Sequence, residues 1–172
     1  VRGGVEWAAR QPGDTFSLLV TVRSDDLTDY KYRIEARVRA SRCELIAEQL
    51  VRVKYRPAKR GEQGVRGAQS GSLRLFWTDE CEVDAPNVTA RLYNEKRGSP
   101  RSMSRANAIL SQLVGQKHRQ EIQDGVSAVI GALQGIFILD PIPAHMRGYS
   151  PLSDQLEPDA NNIAGVLAAL PE

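Results

Sequence analysis

Residues 31–39, KYRIEARVR, alternate strictly between charged and apolar side chains. Every odd-numbered residue of this segment is Lys, Arg or Glu, and every even-numbered residue is apolar. Successive side chains of a β-strand point to opposite faces, so this strand presents one apolar face and one charged face. That division is typical of an antiparallel sheet that packs on a core on one side and meets water on the other.

The flanking segments extend this pattern into a sheet of several strands. Residues 15–22 alternate with a period of two, and residues 25–29 supply the turn of a hairpin. Residues 45–55 predict a third strand, whose apolar side is expected to contain Leu45, Ala47, Val51, Val53 and Tyr55. Its solvent side is expected to contain Glu48, Arg52, Lys54 and Arg56. Residues 73–77 predict a fourth strand and residues 88–93 a fifth, where a helix is not excluded.

From Ser104 onward the apolar residues follow a helical period. Ser104 is a candidate N-cap for a first helix, and a second helix ends at Gly135 after the stripe Ile122, Val126, Val129, Ile130 and Leu133. Residues 136–139, IFIL, are typical of a strand buried on both faces. A last helix is predicted from the N-cap Asp159, with Ile163, Val166, Leu167 and Leu170 buried.

These elements predict an α+β (mixed α/β) fold in a single domain or partial domain spanning residues 1–172. Residues 1–100 form its β-rich part, and residues 101–172 form a helical part with the buried strand 136–139. A chain that opens on Val1 and stops at Glu172 is also expected to be an internal piece of a larger protein.

The composition narrows the classes of protein. A hydrophobic content of 41% and a charged content of 26% are ordinary for a folded domain. No apolar run is long enough to span a membrane and no signal peptide opens the chain, so we expect a cytoplasmic protein with no membrane partner. Cys43 and Cys81 are expected to be free thiols, although one bridge between them stays open. His118 and His145 lack partners at the spacing of a metal or a Ser-His-Asp site, so no catalytic residue or metal ligand is predicted.

The net charge of +2 hides a strong local excess of cations. Between Lys31 and Arg66 lie eleven Lys or Arg and four Glu, a local net charge of +7. The basic strand faces would suit a nucleic-acid backbone, with the candidate residues Arg37, Arg39, Arg52 and Lys54. They also suit a solvated sheet face. The glycine-rich residues 59–72 lack the Gly-Lys-Ser/Thr of a phosphate-binding loop, which favours a flexible connector.

Residues 140–147, DPIPAHMR, follow the carboxyl end of the predicted buried strand, where α/β sheets place their ligands. Here Arg147 would reach a phosphate and Asp140 would hold water or a metal ion, with His145 between them. The two prolines also fit a rigid connector.

Two segments carry a resemblance to a known family. Residues 136–147, IFILDPIPAHMR, and 156–167, LEPDANNIAGVL, resemble the middle region of bacterial AAA-family ATPases of the SMC/RecF (ABC-type) kind. In that family the second segment carries Gly where this chain has Ala160, and Leu where it has Ile163. Residues 2–7, 91–97 and 102–105 fit the same region.

The resemblance implies a fragment of an ATP-binding and ATP-hydrolysing protein, part of an ABC-type lobe. ATP and Mg would be cofactors of the whole protein, and its partners would be the remainder of the ATPase, a second copy and nucleic acid. The Walker A lysine, the signature motif and the Walker B acids are missing, so the chain itself is expected to be inactive scaffold. The alternative is a non-enzymatic basic β-domain that binds nucleic acid or a protein partner.

Overall fold

The computed structural model describes residues 9, 12–58, 66–82, 84–95, 97–137 and 140–170. They divide into two compact units, one within Arg2–Gln134 and one within Gly135–Glu172. That residues 1–172 form a single domain or partial domain stays a prediction. The resemblance at residues 2–7 and most of the glycine-rich connector, residues 59–65, lie outside the described residues.

Six strands of the first unit form one antiparallel sheet in which each strand pairs with its neighbours in sequence. The strands are β1 (Thr15–Asp25), β2 (Thr28–Arg39), β3 (Arg42–Tyr55), β4 (Gln69–Thr78), β5 (Asn87–Leu92) and β6 (Ser99–Ser104). The antiparallel sheet and its first hairpin are confirmed, and the fifth segment is a strand rather than a helix. The sixth strand was not predicted, because its sequence SPRSMS carries little apolar alternation.

Two helices follow β6, and the core lies between them and the sheet. They are α1 (Ile109–Gln112) and α2 (Gln120–Gln134). The stripe predicted for α2 is confirmed, since Ile122, Val126 and Val129 are buried in one cluster with the apolar side of the sheet. The prediction of Ser104 as an N-cap is wrong: Ser104 closes β6, and Ala108 precedes α1. We call the side of the sheet that carries Tyr30, Tyr32, Leu50 and Phe76 the covered face, and the opposite side the open face.

Irregularities in the pairing of β3 decide which of its side chains enter the core. The register shifts between Glu35 and Ala36 on β2, which leaves Ile46 of β3 without a partner on that strand. Beyond this bulge the even-numbered residues of β3 share the covered face with Tyr30 and Tyr32. The prediction that Glu48 and Arg52 lie on the solvent side is therefore wrong, and Glu48 is 2% exposed.

The second unit holds a 3₁₀ turn at His145–Arg147 and the helix α3 (Ile163–Ala169). Asp159 is not its N-cap: Asn162 precedes the helix, and Leu167 and Leu170 are about 60% exposed rather than buried. The predicted buried strand 136–139 is contradicted at Ile136 and Phe137, which form no strand and are more than half exposed. Ile138 and Leu139 lie outside the described residues, as does Pro171. No described helix of either unit is both long and apolar enough to cross a membrane.

Candidate functional site

The open face carries a row of large side chains that runs across the sheet. The strand registers place Arg33 opposite Gln49, Gln49 opposite Trp77, and Trp77 opposite Arg91. Side chains that are directly opposite in a sheet share a face and lie about 5 Å apart. The row therefore sets a tryptophan between two arginines on the side of the sheet that α1 and α2 leave uncovered.

A bulge in β4 adds a further cation beside Trp77. Arg74 pairs with Val51 and Phe76 with Leu50, so Leu75 is the extra residue between them. The bulge places Arg74 and Trp77 on the same face although they are three residues apart. The Arg74 guanidinium carbon lies 4.7 Å from the centroid of the Trp77 ring, within the range of a cation–π contact.

Acidic residues neutralise only part of this surface. Arg91 is paired with Asp79 at 2.7 Å, and Arg33 approaches Glu35 at 3.5 Å in a solvent-exposed contact. Lys31 and Arg74, both exposed, form no ion pair with any residue in the described ranges. The open face is therefore positively charged around its only described tryptophan.

A depression of about 240 Å³ lies at the centre of this surface. Its lining includes Arg33, Glu35, Gln49, Arg74, Trp77 and Thr78. We call Lys31, Arg33, Arg74 and Trp77 the Trp77 platform. It offers three cations and one aromatic ring, an arrangement that suits a ligand with repeated anionic groups and flat rings.

The structure does not bring the four predicted nucleic-acid residues together. Arg37 and Arg39 lie at one end of the open face, where they pair with Asp14 at 3.2 Å and Asp84 at 2.7 Å. Arg52 is opposite Tyr30 and therefore lies on the covered face. Lys54 is opposite Thr28, next to the first hairpin. The Trp77 platform was missed because only the β4 bulge places Arg74 beside Trp77.

The predicted nucleotide-proximal residues lie in the second unit. Asp140, His145 and Arg147 are all exposed. His145 Nδ1 lies 2.9 Å from Asp159 Oδ2, and this hydrogen bond holds the pKa of Asp159 below its usual value. The backbone N–H of Asp140 donates to the carbonyl of Pro158. These contacts connect residues 140–147 to residues 158 and 159. Within the described part of the chain, no ion pair joins Asp140 to Arg147.

Glu48 is the one acidic side chain that is fully enclosed in the described core. Its carboxylate accepts hydrogen bonds from the Tyr32 hydroxyl at 3.0 Å and from the backbone N–H groups of Ile109 and Leu110 at 2.5 and 2.8 Å. Burial raises the pKa of Glu48 above its usual range, and the three hydrogen bonds offset part of that increase. Glu48 thus joins β3 to the first turn of α1.

The remaining candidates are the two cysteines and His118. Cys43 and Cys81 are both free thiols. Among the described residues no group of three or more His, Cys, Asp or Glu is arranged to hold a metal ion. Burial, with the nearby charge of Arg101, lowers the pKa of His118, which favours its neutral form.

Comparison with known proteins found no matching family model, no matching curated protein and no matching solved structure.

Proposed function

We propose that the first unit is a non-enzymatic domain that binds single-stranded nucleic acid on its open face. The observation that carries this proposal is the Trp77 platform: three cations surround a partly exposed indole on the face that α1 and α2 leave uncovered. Lys31, Arg33 and Arg74 would contact phosphates, whose neutralisation releases counterions and supplies most of the affinity. Trp77 would stack with a base, which favours unpaired strands over a closed duplex.

The sheet itself favours this geometry. Adjacent strands are about 5 Å apart, so side chains on neighbouring strands could meet successive groups of an extended single strand. Arg33, Gln49 and Trp77 lie on three adjacent strands, so a bound strand would run across the sheet and meet a different β-strand at each nucleotide. Gln49 adds an amide that can donate to a base and accept from one.

Fluorescence anisotropy with a labelled oligonucleotide of about ten nucleotides tests the proposal, a length set by the site sizes of single-strand binders. The wild-type chain should bind with an affinity that falls as salt rises, with a log–log slope near −2 for about three phosphate contacts. The triple variant Lys31→Ser, Arg33→Ser, Arg74→Ser should weaken binding at least about tenfold at low salt.

A matched control removes the same charge from another part of the sheet. The triple variant Arg52→Ser, Lys54→Ser, Arg56→Ser also loses three cations, but the strand registers place Arg52 and Lys54 off the open face. It should bind within about threefold of the wild type, as expected for long-range electrostatics alone. Equal losses in the two triple variants would mean that net charge, and not the Trp77 platform, carries the binding.

The ATPase-fragment interpretation is the second candidate, and it rests on the resemblance of residues 136–147 and 156–167. ATP, Mg and the rest of the ATPase lobe would then be supplied outside these residues. Its test is a phosphate-release assay on this chain mixed with ATP and Mg. We expect no turnover, and hydrolysis by the chain alone would contradict the assignment of these residues to scaffold.

A further inference from the structure

Strand β1 forms an edge of the sheet, and its outer side has no partner strand among the described residues. Residues 15–22, TFSLLVTV, contain no charged residue and no proline over eight positions. Soluble proteins usually protect such an edge with charges, prolines, bulges or a covering segment, because its free N–H and C=O groups can pair with another strand. Leu18 and Leu19 are 56% and 68% exposed here.

The backbone hydrogen bonds show which residues of β1 point outward. The N–H of Val38 donates to the carbonyl of Asp14, so residues 14 and 38 form a hydrogen-bonded pair. Bonded and non-bonded pairs alternate along antiparallel strands, so the backbone groups of the even-numbered residues of β1 point to β2. The groups of the odd-numbered residues, 15 to 23, point outward.

We propose that β1 pairs antiparallel with β1 of a second copy of this chain, with Leu19 opposite Leu19 of the other copy on a twofold axis. In this register all outward-pointing residues from 15 to 23 are paired, and about ten hydrogen bonds form. The two covered faces lie on the same side, so the two sheets become one.

Side-chain chemistry selects this register over its neighbours. Phe16 then lies opposite Val22, Leu18 opposite Val20 and Ser17 opposite Thr21, so apolar residues meet apolar residues and hydroxyls meet hydroxyls. A shift that puts residue 18 or residue 20 on the axis instead places Leu19 opposite a hydroxyl side chain, Ser17 or Thr21. The edge is thus complementary to itself, which a twofold interface requires.

The test is the oligomeric state of the whole chain by sedimentation equilibrium between about 5 and 500 µM, a range that covers weak dimers. The monomer mass is 19.0 kDa, and the wild type should approach twice that mass. Leu19→Lys brings two ammonium groups together on the axis and should weaken dimerisation at least about tenfold. Val114→Lys is the control: Val114 is 53% exposed and lies between α1 and α2 rather than on β1, so this variant should dimerise like the wild type.

A second variant tests the backbone pairing rather than the side chain. Thr21→Pro removes an N–H that points outward, so the β1–β2 bonds of the monomer should be kept while the dimer is lost. Unchanged far-UV circular dichroism would show that both variants fold. A wild-type chain whose mass stays at 19.0 kDa over the whole concentration range overturns the proposal. The β1 edge would then be available for pairing with a strand of a different protein. Dimerisation of Leu19→Lys at wild-type strength overturns it as well.

Discussion

Replacement of Glu48 probes the contact on which the docking of α1 depends. Glu48→Ala removes the acceptor for the N–H groups of Ile109 and Leu110, which are 0% and 2% exposed, and for the Tyr32 hydroxyl. A buried donor without a partner costs roughly 1–3 kcal/mol, so the loss of three acceptor contacts sums to about 3–9 kcal/mol. Because a domain of this kind has a total stability of about 5–15 kcal/mol, Glu48→Ala should come close to unfolding it.

Milder substitutions at Glu48 and Tyr32 separate the effect of the Glu48 charge from the effect of its shape. Glu48→Gln keeps the volume and one accepting oxygen, but its NH₂ group must face at least one donor, so the expected cost is about 1–3 kcal/mol. Tyr32→Phe removes a single hydrogen bond and should cost about 1–2 kcal/mol. The effect of the double variant should depart from the sum of the two single effects, since both changes act on one hydrogen-bonded group.

The assay is urea unfolding followed by circular dichroism, with hydrogen exchange of individual amides as a local readout. The amides of Ile109 and Leu110 should exchange faster in Glu48→Gln than in the wild type. Glu44→Gln is the control, since Glu44 lies on the same strand without being buried, and its effect should stay within about 0.5 kcal/mol. A Glu48→Gln variant as stable as this control, with unchanged exchange at both amides, would show that the Glu48 carboxylate does not hold α1 in place.

Three further predictions concern pH and backbone conformation. The folded-state pKa of Glu48 is raised above its ordinary value of 4.5. The contribution of Glu48 to stability is therefore full below pH 4.5 and is lost as pH rises through the folded-state pKa. In urea titrations the loss of stability caused by Glu48→Gln should shrink from pH 4.5 toward about 7. Gly98→Ala should cost about 2 kcal/mol by thermal unfolding, because Gly98 has φ +82° and an added Cβ would lie 2.8 Å from the indole ring of Trp77. Gly131→Ala is the control: an added Cβ meets no atom within 4 Å, so this change in α2 should stabilise the fold by up to about 1 kcal/mol. Arg66→Gln should cost about 3 kcal/mol, because it removes the ion-pair partner, 2.6 Å away, of the buried carboxylate of Asp29. Burial raises the pKa of Asp29, but the contacts with Arg66, Tyr55 and Arg23 together outweigh burial and lower the pKa. This cost should therefore be present at pH 7 and fade as pH falls below 3.8.

The alternation of residues 31–39 was enough to predict the sheet and its two faces, because nothing interrupts the pairing of β2 with β1 there. On β3 the alternation predicts the wrong faces. One extra residue near Ile46 reverses the faces, and single-residue insertions leave no mark in a pattern of apolar and polar letters. Glu48 therefore looked like a solvent-facing acid, although the docking of α1 makes it the most enclosed charge in the described core.

The run IFIL at residues 136–139 shows a different limit of sequence patterns. Four consecutive apolar residues fit a buried strand, but periodicity cannot distinguish such a strand from an exposed connector. Ile136 and Phe137 directly follow the end of α2 and have no strand partner among the described residues. The Trp77 platform could not be predicted either, since the spacing of Arg74 and Trp77 in a regular strand would set them on opposite faces.

The strictly sequential order of the six strands has a consequence for biosynthesis. Each strand can join the growing sheet as it leaves the ribosome, since its partner has always been made just before it. The helices α1 and α2, which pack on the covered face, are synthesised after all six strands. Nascent chains that end near Ser104 therefore expose the apolar side chains of that face to solvent. A chain truncated after Ser104 should therefore bind a hydrophobic dye strongly or precipitate.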